Sequence, residues 1–179
     1  TIGILLTMFL REAGAEDLFV IGNKEFQKRN ALELGIPQER FFDGRRADVA
    51  ERLLEQTDGM GVDVFFECIG KNETVAEGLL VTAPGGRIQL VGNPASDMHF
   101  DRNTYWKILR NQLTVKGSWN STYLHAPEDD WHYVLKRLER GRIRPECYIT
   151  QRFPLKDLEE GLRIMRDKTQ EYVKVMIAP

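Results

Sequence analysis

The first turns of the chain are apolar nearly all round: Ile2, Ile4, Leu5, Leu6, Met8, Phe9 and Leu10 crowd into a helical stretch that Gly14 ends. A helix without a polar face needs burial on most sides, and glycine is common just past a helix end. Short apolar runs then alternate with amphipathic stretches. Residues 17–22 (DLFVIG) read as a strand, 24–34 as a helix stopped by Gly35 and Pro37, and 40–43 (RFFD) as a strand. Residues 47–57 read as a helix with Val49, Leu53 and Leu54 on one face, and 62–68 (VDVFFEC) as a buried strand. A helix over 74–81 precedes a Pro84-Gly85-Gly86 turn and a strand over 87–91. A helix over 104–110, a strand over 113–119 and a helix over 127–140 follow, the last with Pro127 in its first turn and Gly141 past its end. Residues 155–166 read as a helix and 172–177 as a final strand.

Strands and helices alternating through short loops predict right-handed βαβ crossovers and a doubly wound parallel sheet with helices on both faces, an α/β fold. There is no internal repeat. The rhythm breaks near Glu146, so residues 1–145 are expected to form one domain and 146–179 a segment that packs against something outside the chain. The leading helix has no strand before it. The expectation is a fragment whose sheet lacks its first strand; the alternative is a trimmed disordered arm. Either another segment supplies that strand or the remaining strands close over the gap.

Composition narrows the function. Of 179 residues, 42% are hydrophobic and 29% charged, which allows a sizeable core and excludes a disordered chain. The net charge of −2 offers no bulk attraction to nucleic acid or an anionic membrane. No apolar run approaches the ~20 residues of a membrane span, and the opening lacks the features of a secretory leader. Two isolated cysteines, Cys68 and Cys147, make neither a disulfide framework nor a structural zinc site, so the cytoplasm is the expected compartment.

In an open parallel sheet, ligands bind outside the carboxyl ends of the strands. The candidates are therefore Gly22-Asn23-Lys24, Asp43-Gly44, Cys68-Ile69-Gly70, Val91-Gly92-Asn93 and Gly117-Ser118-Trp119. Glycines there admit a flat ligand close to the backbone, or merely end strands. Gly3, after Ile2, fits the third glycine of a G-x-G-x-x-G fingerprint whose earlier glycines lie upstream. About 20 residues beyond, that fingerprint expects an acid at a strand end to hold the ribose 2′-OH of NAD. Gly22 stands there instead. Its lack of charge removes repulsion of a 2′-phosphate, and Lys24, Lys28 and Arg29 supply cations, so NADP is expected, with NAD as the alternative. The competing reading of these cations is a solvated helix face.

The order TIGILL, GNK, ELG, GVDVFFECIG, APGGRIQLVG and LTVKGSW resembles the medium-chain zinc-dependent alcohol and polyol dehydrogenases. The resemblance covers their Rossmann-like coenzyme-binding half and C-terminal return. GSWNSTYLHAPEDDW is similar to the galactitol-1-phosphate and sorbitol dehydrogenase branch. The resemblance implies reversible hydride transfer between a secondary alcohol and NAD(P). It implies coenzyme contacts at Ile2, Gly3, Gly22, Asn23, Lys24, Arg29, Cys68, Ile69, Gly70, Val91, Gly92, Asn93, Gly117 and Ser118, and substrate contacts at Trp119 and Asn120. The family's catalytic zinc is held by an N-terminal domain, so this chain is expected to hold neither zinc nor a catalytic residue, and to be inactive alone. Homo-oligomers are common in the family. Two other functions stand beside this one: a zinc-free quinone or enoyl reductase of the same superfamily, and a non-enzymatic nucleotide sensor.

Several chemistry-bearing residues have plainer expectations. His99, His125 and His132 show no metal-ligand spacing. Cys68 reads as a small hydrophobe beside the coenzyme. Glu67 points opposite to Cys68 and needs a helix-end or Arg partner. Tyr105 and Trp106 are expected to pack at a helix face. Asp129 and Asp130 suit the positive end of a helix. Arg45, Arg46 and Asp48 either edge an adenine or form a solvated turn.

Overall fold

A computed structural model describes residues 1–124 and 129–179. Its helices and strands, in chain order, are α1 (Ile2–Glu12), β1 (Val20–Gly22), α2 (Glu25–Glu33), β2 (Phe41–Asp43), α3 (Val49–Glu55), β3 (Val62–Glu67), α4 (Asn72–Val81), β4 (Thr82–Leu90), α5 (Arg102–Arg110), β5 (Thr114–Gly117), α6 (Asp130–Glu139), β6 (Ile149–Pro154), α7 (Leu158–Asp167) and β7 (Lys174–Ala178). Strands alternate with helices and the β3-β4-β5 and β6-β7 pairings are parallel, so the architecture is the Rossmann-like α/β fold that the periodicity predicts. The predicted start of α6 at Pro127 lies outside the described residues, as does His125. Two units emerge, one of Thr1–Phe42 with Thr122–Pro179, the other Asp43–Ser121.

In the Asp43–Ser121 unit, β3, β4 and β5 form one parallel sheet in that order. Helix α4 turns Val75 and Leu79 onto Ile88 of β4, with Phe65, Leu90, Ile108 and Leu113 packed around them. Gly78 brings α4 close to β3: a Cβ there would lie 2.6 Å from the Phe65 ring. Helix α5 is capped by Asp101, whose carboxylate accepts from Asn103 N at 2.7 Å and Thr104 N at 3.0 Å. The Pro84-Gly85-Gly86 turn does not separate helix from strand. It is a bulge inside β4, since Val62 pairs with Thr82 while Val64 pairs with Arg87. Gly85 absorbs the bend at φ +76° and donates its N–H to Asn111 O at 2.7 Å. Tyr105 is exposed rather than packed, and Trp106 lies between the guanidinium groups of Arg102 and Arg110, 5.0 and 4.4 Å from the ring centre.

In the other unit, β1 pairs with β2, and β6 and β7 form a separate parallel pair. Met8, Ile143, Tyr148 and Val173 make the core, with Ile4, Leu5, Phe9, Phe26, Leu34 and Val134 against it. Burial of α1 is less complete than its composition demands, since Ile2 stays half exposed. Helix α7 lies on its strands through Gly161, where a Cβ would come 3.2 Å from Val175 and Ile177. Strand β6 falls in the tail that breaks the sequence rhythm; its inner face carries Ile149, Gln151 and Phe153, of which two are apolar. Strands β1 and β3 belong to different sheets. Among the described residues, no helix is long and apolar enough to cross a membrane.

Candidate functional site

Parallel pairing of β3, β4 and β5 aligns their carboxyl ends, and this brings Cys68, Ile69, Gly70, Val91, Gly92, Asn93, Gly117 and Ser118 to one edge of the sheet. Ser118 N donates to Leu90 O at 2.8 Å, carrying the β4–β5 ladder one residue past β5. Past β3 and β4 the backbone does more. Val91 N and Gly92 N both donate to Glu67 O, at 2.8 and 3.0 Å, so the turn after β4 folds over the end of β3.

Two glycines make that crossing possible. Gly70 sits at φ +83°, a conformation that side chains rarely adopt. A Cβ on Gly92 would lie 2.5 Å from Ile69 N and closer still to Gly70 N. No side chain fits at position 92. The two strand ends therefore meet backbone to backbone.

Beneath this crossing lies Glu67, which is 2% exposed. Its Oε1 accepts from Ile69 N at 2.8 Å, Gly70 N at 2.9 Å and Thr74 Oγ1 at 2.7 Å, and Oε2 accepts from Gly70 N at 3.0 Å. The expected helix-end partner is thus Thr74, in the first turn of α4; no arginine takes part. Asn72, which opens α4, holds the following loop: its Oδ1 accepts from His99 N at 2.7 Å. Cys68 is half-buried, and burial followed by the Glu67 charge pushes its thiol up to about 11. It stays protonated at neutral pH, as a small hydrophobe would, and is no nucleophile.

Ile69 is 56% exposed and Trp119 80% exposed, so each presents apolar surface to solvent. Asn93, Ser118 and Asn120 are exposed as well. Arg45 and Arg46 pair with Asp43 at 2.6 Å and Asp48 at 2.7 Å, as a solvated turn does. A groove of about 560 Å³ lined by Ala50, Glu51, Leu54, Leu80 and Lys107 holds none of the predicted site residues.

The β1 end lies in the other unit. Gly22 ends the strand, and Gln27 Oε1 accepts from Asn23 N at 2.8 Å and Lys24 N at 3.1 Å. A Cβ on Gly22 would lie 2.9 Å from both Gln27 Oε1 and Phe41 Cζ. The space beside Gly22 is thus filled by neighbours rather than left open. Gln27 stands at the third position of α2, the place a capping-box glutamine takes, and that spacing was the signal for it. Lys24 and Arg29 are exposed. Gly3 opens α1 with no neighbour within 4 Å of a would-be Cβ. Asp129 caps α6 as expected, accepting from His132 N at 2.9 Å, and its carboxylate also meets His132 Nδ1 at 2.8 Å. Among the described residues, no three His, Cys, Asp or Glu side chains are grouped to hold a metal.

Residues 1–140 match the zinc-binding dehydrogenase family. L-threonine 3-dehydrogenase of Pyrococcus furiosus is 30% identical over 92% of the chain and 45% of its own length. Sorbitol dehydrogenase of Halalkalibacterium halodurans is 24% identical over 99% of the chain and 49% of its own. A zinc-binding dehydrogenase structure from Sinorhizobium meliloti, bound to NADP, superposes with a TM-score of 0.83 at 25% identity, covering 99% of this chain and 49% of that one. The chain thus spans about half the length of the relatives it matches.

Proposed function

The chain belongs to the zinc-binding dehydrogenase family, and we propose on that premise that it is the coenzyme-binding part of an oxidoreductase. The parent protein moves hydride between a secondary alcohol, of the polyol or polyol-phosphate class, and NADP. The observation that carries this reading is the backbone crossing of Gly70 and Gly92 at the carboxyl ends of β3 and β4. A parallel sheet offers a dinucleotide its binding edge there, and the crossing holds the two strand ends together at that edge.

Residue roles follow the chain. Ile2 and Gly3, opening α1, face the pyrophosphate with the helix's positive end. Gly22, Asn23, Lys24 and Arg29 meet the adenosine ribose and its 2′-phosphate, where no acid stands to repel it. Cys68, Ile69 and Gly70 flank the coenzyme, Val91, Gly92 and Asn93 lie by the nicotinamide with Gly117 and Ser118, and Trp119 and Asn120 reach the substrate. The NADP bound in the Sinorhizobium relative supports the same coenzyme here, and the name of the Halalkalibacterium relative supports a polyol substrate. The resemblance assigns the family's catalytic zinc to an N-terminal domain of the parent protein.

Residues 146–179 form the return segment that packs against the rest of the parent protein. Its α7 region leaves Leu155, Leu158, Leu162 and Met165 exposed at spacings of one helix face. Self-association runs through the β5 edge, whose residues are all exposed. The parent works in the cytoplasm.

Calorimetric titration of the chain with NADPH, NADH and AMP tests the coenzyme reading. NADPH is expected to bind tightest. Tighter binding of NADH overturns the NADP assignment, and equal binding of AMP and both dinucleotides marks a nucleotide sensor instead.

A further inference from the structure

We propose that Glu67 is a positioning residue. Its buried carboxylate ties the turn after β3 to the first turn of α4 while its main-chain carbonyl receives the turn after β4, and so it sets the spacing of the backbone surface against which the dinucleotide lies. The role rests on the coenzyme reading above and adds to it a residue that never touches the ligand.

The geometry is unusual for a buried carboxyl group. A carboxylate removed from water is costly unless its oxygens are hydrogen-bonded, and most buried carboxylates face a cation. Among the described residues, every partner of the Glu67 side chain is a neutral donor: two backbone N–H groups and one hydroxyl. These donors come from two places, the turn at Ile69 and Gly70 and the first turn of α4. The carbonyl of the same residue receives a third segment, Val91 and Gly92, at the end of β4. One residue therefore joins the turn, the helix and the neighbouring strand end.

Gly92 shows why the lock bears on a ligand. A Cβ there would lie 2.5 Å from Glu67 Oε2. The carboxylate thus sits directly against the backbone of the segment assigned to the nicotinamide. If it withdrew, the N–H groups of Ile69 and Gly70 would lose their acceptors, and the turn after β3 would be free to part from α4 and to shift against the Gly92 backbone. A glutamine of the same shape has one accepting oxygen and one donating nitrogen. It cannot serve Oε1 and Oε2 together without pointing a donor at the Gly70 N–H. Sites hold ligands tightly when the supporting contacts fix them beforehand, so the expected effect of releasing the lock falls on affinity more than on folding.

The test uses the full chain and four variants: Glu67→Gln, Thr74→Val, Thr74→Ser, and Asp101→Ala as a control. Asp101 caps α5 in the same unit and has no part in the proposed coenzyme contacts. Amide exchange is measured without ligand, and NADPH affinity by calorimetry. Glu67→Gln and Thr74→Val are expected to speed exchange at Ile69 and Gly70 by about tenfold and to weaken NADPH by about tenfold. Thr74→Ser, which keeps the hydroxyl, is expected to restore both, while Asp101→Ala lowers the thermal midpoint with unchanged affinity. Should Glu67→Gln fail to fold, Thr74→Val carries the test alone. Thr74→Val with unchanged exchange at Ile69 and Gly70, or Asp101→Ala weakening NADPH as much as Thr74→Val, overturns the proposal. A chain that binds no dinucleotide overturns the coenzyme reading instead, and ligand-free exchange in Thr74→Val then decides the lock alone.

Discussion

Arg137 Nε donates to Glu12 Oε2 at 2.8 Å and ties the end of α1 to α6. Arg142 Nε reaches Oε1 of the same carboxylate at 3.3 Å, so both oxygens of Glu12 are engaged. The Arg137 hydrogen bond, working against the desolvation of Glu12, holds its carboxyl below the ordinary 4.5. Replacing Glu12 leaves two arginines facing an uncharged group. Glu12→Gln is expected to lower the thermal midpoint by about 3 °C at pH 7. A group with a depressed folded pKa contributes above its unfolded value and loses that contribution as pH falls. The gap between wild type and variant should therefore narrow below about pH 4.5, which melts at pH 7 and pH 3 measure.

Asp129 gives a second acid-sensitive point. Burial alone would raise its carboxyl, but hydrogen bonds from His132 N, His132 Nδ1 and Leu124 N outweigh that and hold it at about 2. Its contribution is complete above the unfolded value of 3.8 and fades as pH falls toward 2. Asp129→Asn should flatten the pH dependence of stability in that window, read as the midpoint of denaturant unfolding at pH 5, 4, 3 and 2.

The two cysteines should be separable by a thiol reagent. Cys147 is exposed, whereas Cys68 is half-buried with its thiol pushed up to about 11 by burial and by Glu67. Alkylation at pH 8 is expected to mark Cys147 alone, and Cys68 should gain label only as pH climbs toward 11. Mass spectrometry of the labelled peptides reads this directly, and early labelling of Cys68 would contradict it.

Gly92→Ala forces a methyl into backbone at Ile69 and Gly70. Overpacking of this kind costs about 1–3 kcal/mol. Denaturant unfolding should show that loss. NADPH binding should weaken beyond what the stability change explains, since the crossing itself is displaced.

Coenzyme choice is read at Gly22. A Cβ there meets Gln27 and Phe41, so both Gly22→Ala and Gly22→Asp are expected to lose stability. Only the aspartate carries charge toward a 2′-phosphate. Gly22→Asp should weaken NADPH by at least about tenfold relative to NADH, with Gly22→Ala leaving the ratio alone. Equal effects of the two variants on the ratio would sink the charge argument.

Where periodicity was strong, the elements were legible: β3, α4 and α5 fall where apolar spacing places them, and a buried Glu67 announced its need for a partner at the helix end. The misreadings share a cause. Pro84-Gly85-Gly86 carries turn chemistry, and a bulge uses the same residues within a continuing strand. Strand β6 has too few apolar positions to show alternation, because its outer face is polar and its length is short. Gln27 filling the space beside Gly22 is a tertiary fact: side-chain size alone promised room there, and the Phe41 ring takes it. Glycine positions were visible as candidates, but only the crossing distances separate Gly70 and Gly92, where a Cβ would strike backbone, from Gly3 and Gly117, where a Cβ meets nothing.

The division of the chain sets an order of assembly during synthesis. Residues Asp43–Ser121 form a continuous unit, and all the strands of its sheet have emerged before α6 is made. The other unit is split: Met8 is made before the Asp43–Ser121 unit, while its core partners Ile143, Tyr148 and Val173 are made after it. The apolar residues of α1 must therefore wait, with only Phe26 and Leu34 of their later neighbours made, while the Asp43–Ser121 unit is synthesised. Such a stretch is where chaperones or premature association act on a nascent protein, and a stalled product ending near residue 121 would hold a complete β3-β4-β5 sheet and an α1 whose core partners Ile143, Tyr148 and Val173 are missing.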